Sequence, residues 1–72
     1  MLGHINTAER KLYGMTPAGT QVLASASPNF EGKYRWISQI WQRSGRKNFN
    51  TIEEALTAAA KSFGVTVCDI RN

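Results

Sequence analysis

The sequence is poor in most of the features that announce a secreted, metal-binding or catalytic protein. It holds one cysteine, Cys68, so no disulfide can close within the chain; secreted domains this small ordinarily carry several. It holds one histidine, His4, remote from Cys68, so no two ligands stand at metal-binding spacing. Acidic residues number five in 72 and prolines two. No apolar run approaches the roughly 18–20 residues that span a bilayer. Met1-Leu2-Gly3-His4 lacks the basic-then-apolar order of a signal peptide. A reducing location, host cytoplasm or nucleoid, is therefore expected, with no membrane contact. A phosphate-cradling loop is also missing, because Gly32 and Gly45 are isolated turn glycines. Nucleophilic catalysis needs a base beside the nucleophile, and His4 lies where chain ends fray. Glu53 and Glu54 would diverge as successive residues of a helix. The expectation is a non-enzymatic protein with no cofactor and no metal.

What remains is small and basic. At 72 residues and 8.0 kDa the chain reads as a single domain, 1–72. Nine Lys and Arg against five Asp and Glu leave a net charge of +4. The excess is local. Residues 33–47 contain Lys33, Arg35, Arg43, Arg46 and Lys47 and no acid, so the rest of the chain sums to −1.

Residues 1–19 have the weakest pattern. Asn6-Thr7-Ala8-Glu9 offers a cap and an acid for a short helix to Tyr13, ended by Gly14; a strand from Arg10 to Met15 is the alternative. Thr16-Pro17-Ala18-Gly19 reads as a loop. Thr20–Ser27 reads as a strand with Val22, Ala24 and Ala26 on one face and Gln21, Leu23 and Ser25 on the other. The aromatic and β-branched residues of 34–43 predict a second strand. Its alternation puts Tyr34, Trp36, Ser38, Ile40 and Gln42 toward a core, and Arg35, Ile37, Gln39, Trp41 and Arg43 on the opposite face. Ser44-Gly45 reads as a hairpin turn and 46–49 as a short third strand.

Thr51-Ile52-Glu53-Glu54 is a capping box. After it, Ile52, Ala55, Leu56, Ala59, Ala60 and Phe63 recur at helical period, and Gly64 is a stop signal. The pattern predicts a helix over 52–63. Val65–Ile70 reads as a last strand. The class is α+β: over 20–72 the order is β-β-β-α-β, a three- to four-stranded antiparallel sheet with the helix on one face. Trp36, Phe30, Phe49 and Phe63 read as core residues and Cys68 as a small buried hydrophobe.

An arginine-rich face bearing an exposed tryptophan suits nucleic acid or a protein partner. The segment Tyr34-Arg35-Trp36-Ile37-Ser38-Gln39-Ile40, then Gly45-Arg46-Lys47, then Phe49-Asn50-Thr51-Ile52-Glu53-Glu54-Ala55 resembles the APETALA-type DNA-binding fold and the related amino-terminal domains of phage and transposon integrases. In that family a helix backs a three-stranded sheet whose free face enters the major groove. The resemblance implies that Arg35, Gln39, Trp41 and Arg43 face DNA and that Arg46 and Lys47 sit near phosphates. It covers residues 33–64. The chain departs from the family in having no arginine in 20–27 and in adding an apolar strand after the helix. The resulting expectation is a regulatory module of mobile-element or phage type that binds duplex DNA through Lys33, Arg35, Gln39, Trp41, Arg43, Arg46 and Lys47. The alternative is a phage-type inhibitor or anti-defence protein, whose same face meets an acidic or nucleic-acid-binding surface of a host complex. An unpaired edge strand would also serve a homodimer.

Overall fold

The structure, a computed structural model, describes residues 1–72. Five strands precede the helix: β1 (Leu2–Asn6), β2 (Lys11–Thr16), β3 (Gly19–Pro28), β4 (Tyr34–Ser38) and β5 (Arg43–Ser44). The helix α1 (Ile52–Phe63) and a final strand β6 (Thr66–Arg71) follow. All six strands join one sheet in the order β5-β4-β3-β2-β1-β6. The first five form an antiparallel meander, and β6 pairs parallel to β1. The class is α+β, but the sheet is mixed and six-stranded, not the three- to four-stranded antiparallel sheet expected from sequence.

The discrepancy begins in residues 1–19, which form two strands and no helix. Asn6–Glu9 does cap locally, since the Glu9 N–H donates to Asn6 Oδ1 at 3.0 Å, but it closes the β1–β2 turn. Ile5 and Leu12 pair across the strands and are fully buried. Their burial decides the matter: a turn and a half of helix has too few internal hydrogen bonds to compete with it. The pairs Gly3↔Gly14 and Ile5↔Leu12 alternate with His4↔Tyr13 and Asn6↔Lys11, so one face is apolar and the other polar.

In β3 the expected parity fails at one point. The β2–β3 register shifts between Leu12 and Tyr13, whose partners are Ala24 and Val22, leaving Leu23 as an extra residue. This bulge puts Leu23 and Ala24 together in the core, exposed by 1% and 2%. Leu23 occupies the space over Gly14, where any Cβ would lie 2.8 Å from its Cγ.

The helix matches the sequence pattern from end to end. Thr51 Oγ1 accepts from the Glu54 N–H at 3.1 Å, and Gly64 closes the other end in the left-handed region at φ 70°. Ala55, Leu56, Ala59 and Ala60 are buried against the sheet, and the small alanines bring the helix close. α1 lies across the sheet and touches β1, β2, β3, β4 and β6, with its last residue, Phe63, against Trp36 of β4. One helix covers one face. The other face of the sheet is bare.

Five further expectations are corrected. The strand starting at Tyr34 ends at Ser38, and the chain turns at 39–42 with Gln42 in the left-handed region at φ 51°. The returning strand is therefore Arg43–Ser44 rather than 46–49, of which only Phe49 bridges, to Tyr34. Ser44-Gly45 is accordingly not the hairpin turn. Phe30 is fully exposed in the turn between β3 and β4, and Cys68 is exposed on β6, with Sγ 3.2 Å from the Gly3 carbonyl. Trp36 is buried as expected, its ring edge-on to Phe63 at 5.1 Å. No helix is long and apolar enough to cross a membrane.

Candidate nucleic-acid interface

The seven residues singled out from the sequence all lie along the β4–β5 edge of the sheet, but not on one face of it. Alternation along β4 is intact as far as Ser38, so Arg35 and Ile37 stand on the bare face. The turn then reverses the chain. Arg43 pairs with Ser38, a buried residue of the helix-covered side, and so returns on the opposite face from Arg35. The continuous ten-residue alternation that would have aligned Arg35, Gln39, Trp41 and Arg43 does not exist.

The edge has two ends. At one, Lys33 leaves a tight turn in which Asn29 Oδ1 accepts from the Lys33 and Glu31 N–H groups at 3.0 and 2.9 Å. Arg46 and Lys47 are exposed in the segment between β5 and the Phe49–Tyr34 bridge, whose paired backbone hydrogen bonds are both 2.8 Å. That bridge ties the segment to the start of β4, next to Lys33. Arg35 Nε donates to the Gly45 carbonyl at 2.8 Å, which holds the guanidinium alongside β5. At the other end Trp41 lies on Phe63 at 4.5 Å, and the Arg43 guanidinium sits 5.6 Å over the same ring, within cation–π range. Trp41 keeps 42% of its surface exposed. Gln39 belongs to neither end; with Lys11, Val22, Ser25, Ile37 and Ile40 it lines a shallow groove of about 400 Å³ on the bare face.

None of the five cations in 33–47 forms an ion pair. The one salt bridge in the molecule, Arg71–Asp69 at 2.7 Å, lies on β6 at the far edge of the sheet. The basic segment is thus uncompensated in space as well as in sequence.

The bare face also presents residues that the sequence reading passed over. His4 is held in a strand between β2 and β6, not frayed, and its ring stacks on Tyr13 at 5.0 Å. The Tyr13 hydroxyl donates to Glu9, and this bond to a carboxylate raises the phenol above its ordinary value, with desolvation adding to it. Across from His4, Asp69 is lowered, first by its hydrogen bond from Arg71. The register lines up Asp69, His4, Tyr13 and Val22 in one row across four strands. The signal was present in residues 11–16, where Lys11, Tyr13 and Met15 alternate with Leu12 and Gly14. It was outweighed by the apparent helix cap at Asn6. No group of three or more His, Cys, Asp or Glu side chains is arranged to hold a metal ion.

Comparison of the chain with protein-family models, with curated proteins and with solved structures found no match.

Proposed function

We propose that this protein is a non-enzymatic binding module for nucleic acid, duplex DNA foremost, and that it engages phosphates along the β4–β5 edge. The observation that supports this most is the set of five unpaired cations, Lys33, Arg35, Arg43, Arg46 and Lys47, gathered on one edge with no acid among residues 33–47. A phosphate backbone is a line of negative charge, and a protein neutralising it releases condensed counterions. An edge that is basic on both sides suits such a line better than a flat face. Arg46, Lys47 and Lys33 would contact phosphates at one end. Arg43 would do so at the other, held in place by Phe63 with Trp41 beside it. Arg35 would reach from the bare face while its Nε remains bonded to Gly45. This departs from the family geometry, in which the sheet face itself enters the groove.

The test is an anisotropy titration of a labelled duplex at several salt concentrations. The slope of log affinity against log salt should be roughly −3 to −4, about −0.9 for each phosphate contacted. Replacing Arg46 and Lys47 by Gln should make that slope less steep by about 2. Absence of binding at low salt overturns the reading.

An acidic protein partner is the second reading, and the groove of Val22, Ile37 and Ile40 beside the basic edge favours it. A protein could fill that groove while pairing with Lys11 and Arg35, whereas a phosphate backbone has nothing to place there. In that case Ile37→Asp would abolish partner binding, and the duplex titration would show nothing.

A further inference from the structure

The two edges of the sheet are not alike. β5 is two residues long, too short to template another strand, and carries the unpaired cations. β6 is six residues long and forms the opposite edge, with β1 on one side and no strand on the other. Beyond the register shift that leaves Cys68 unpaired between Val67 and Asp69, the Arg71 carbonyl accepts from the Thr7 N–H at 2.8 Å on the β1 side. Successive residues of a strand direct their backbone groups to alternate sides, so Ile70 presents its N–H and C=O outward. An edge of this kind is a template for another strand.

The side chains specify which strand. Asp69 and Arg71 share the bare face, and Ile70, 46% exposed, stands between them on the helix side, opposite Ile5. An antiparallel copy of β6 centred on Ile70 would place Ile70 against Ile70 of the second copy. The same register sets Asp69 opposite the second copy's Arg71, and Arg71 opposite its Asp69. A sequence Asp-Ile-Arg is self-complementary about its middle residue. It yields opposite-charge cross-strand pairs on one face and an apolar pair on the other.

We propose that β6 is a homodimer interface, in which two copies pair antiparallel about a two-fold axis through Ile70 and merge their sheets into one. The paired Ile70 backbone groups satisfy each other, and four alternating charges from Asp69 and Arg71 lock the register. The β5 edges remain at the two outer ends, so dimerisation leaves the basic edge of each copy free.

The interface is tested without nucleic acid, by light scattering coupled to size exclusion over a concentration series, which keeps it independent of the DNA reading. The wild-type protein should run at twice 8.0 kDa at high concentration and dissociate on dilution. Asp69→Arg and Arg71→Asp, each placing like charges opposite one another twice by symmetry, should weaken the dimer by about tenfold or more. The double variant Asp69→Arg/Arg71→Asp should restore it. Ile70→Lys should give a monomer whose circular dichroism and melting temperature stay near wild type, since the residue is half exposed. A wild-type protein that stays monomeric at every concentration overturns the proposal. So does a dimer indifferent to Ile70→Lys, or one that the double charge swap fails to restore.

Discussion

Gly45→Ala is the substitution on which the β4–β5 edge can be tested most directly. Gly45 follows β5, is buried, and bonds β4 through its N–H to the Trp36 carbonyl at 2.9 Å. The Trp36 indole lies flat over it. A Cβ at this position would sit 2.7 Å from Cδ1 and 2.8 Å from Cε2 of the ring, where carbon–carbon contacts settle near 3.5–4.0 Å. Trp36 has little freedom to retreat, being 7% exposed with Phe63 against its edge. Overpacking of this kind costs about 1–3 kcal/mol. The backbone contributes in the other direction. Gly45 is not in the left-handed region, so alanine is conformationally allowed there, and replacing glycine stabilises by about 0.4–1 kcal/mol through the unfolded chain. The net expectation is a loss of about 0.5–2.5 kcal/mol. For a domain of this size each kcal/mol shifts the melting temperature by about 4–8 °C, so the variant should melt about 2–20 °C lower. The assay is a thermal melt in a Trp41→Phe background, which leaves Trp36 as the one tryptophan and lets its emission report displacement to a wetter site. Ser44→Ala, exposed and one residue away, is the matched control and should melt with wild type. If Gly45→Ala melts at or above wild type with Trp36 emission unmoved, the packing of β5 under Trp36 is wrong, and with it the geometry of the basic edge.

Three other outcomes are expected. Leu56→Ala, at a fully buried position in the middle of the core, should cost about 2–5 kcal/mol by denaturant unfolding, against a total of about 4–11 kcal/mol for a chain of this length; a midpoint close to wild type would refute the core assignment. Ser38 is 1% exposed and its hydroxyl has no hydrogen-bond partner, so Ser38→Ala removes an unsatisfied group and should be neutral or stabilising; a drop in melting temperature would mean that the hydroxyl is satisfied in solution. Asp69 is held below the usual carboxylate range by its bond from Arg71, and a group whose pKa is lowered on folding contributes stability above its unfolded pKa and loses it as the pH falls through the folded one. A carboxyl-detected NMR titration should therefore give Asp69 a midpoint below that of a free aspartate, rising toward it in Arg71→Gln, and an unchanged midpoint would deny the pair.

Local signals and long-range pairings were not equally legible in the sequence. The helix could be read to the residue because its information is local: Thr51 caps it, Gly64 ends it, and Leu56 recurs in phase with Ala59, Ala60 and Phe63. The β3 strand was also visible, but its bulge was not. Leu23 and Ala24 share a face only because Leu12 on the neighbouring strand opposes both. The turn at 39–42 was hidden for a different reason. Ser38-Gln39-Ile40-Trp41-Gln42 has no glycine, proline, asparagine or aspartate to mark it, and Gln42 takes a left-handed conformation that its residue type does not advertise. A β-favouring run therefore looked like one long strand. Phe30 misled in the opposite direction, since hydrophobicity is a statement about preference, and a chain with one helix and one covered face leaves some aromatic side chains in water.

By itself, then, the sequence determined that the protein is α+β, that its helix runs from Ile52 to Phe63, and that its positive charge is concentrated in residues 33–47. Each of these depends on composition or on neighbours within a few positions. Only the tertiary structure decided that residues 2–16 are strands, that β6 lies beside β1, and that the basic residues line an edge instead of a face. Strand identity and side-chain direction depend on what lies across the ladder. A single unsignalled turn at 39–42 was enough to carry Arg43 to the other side of the sheet from Arg35.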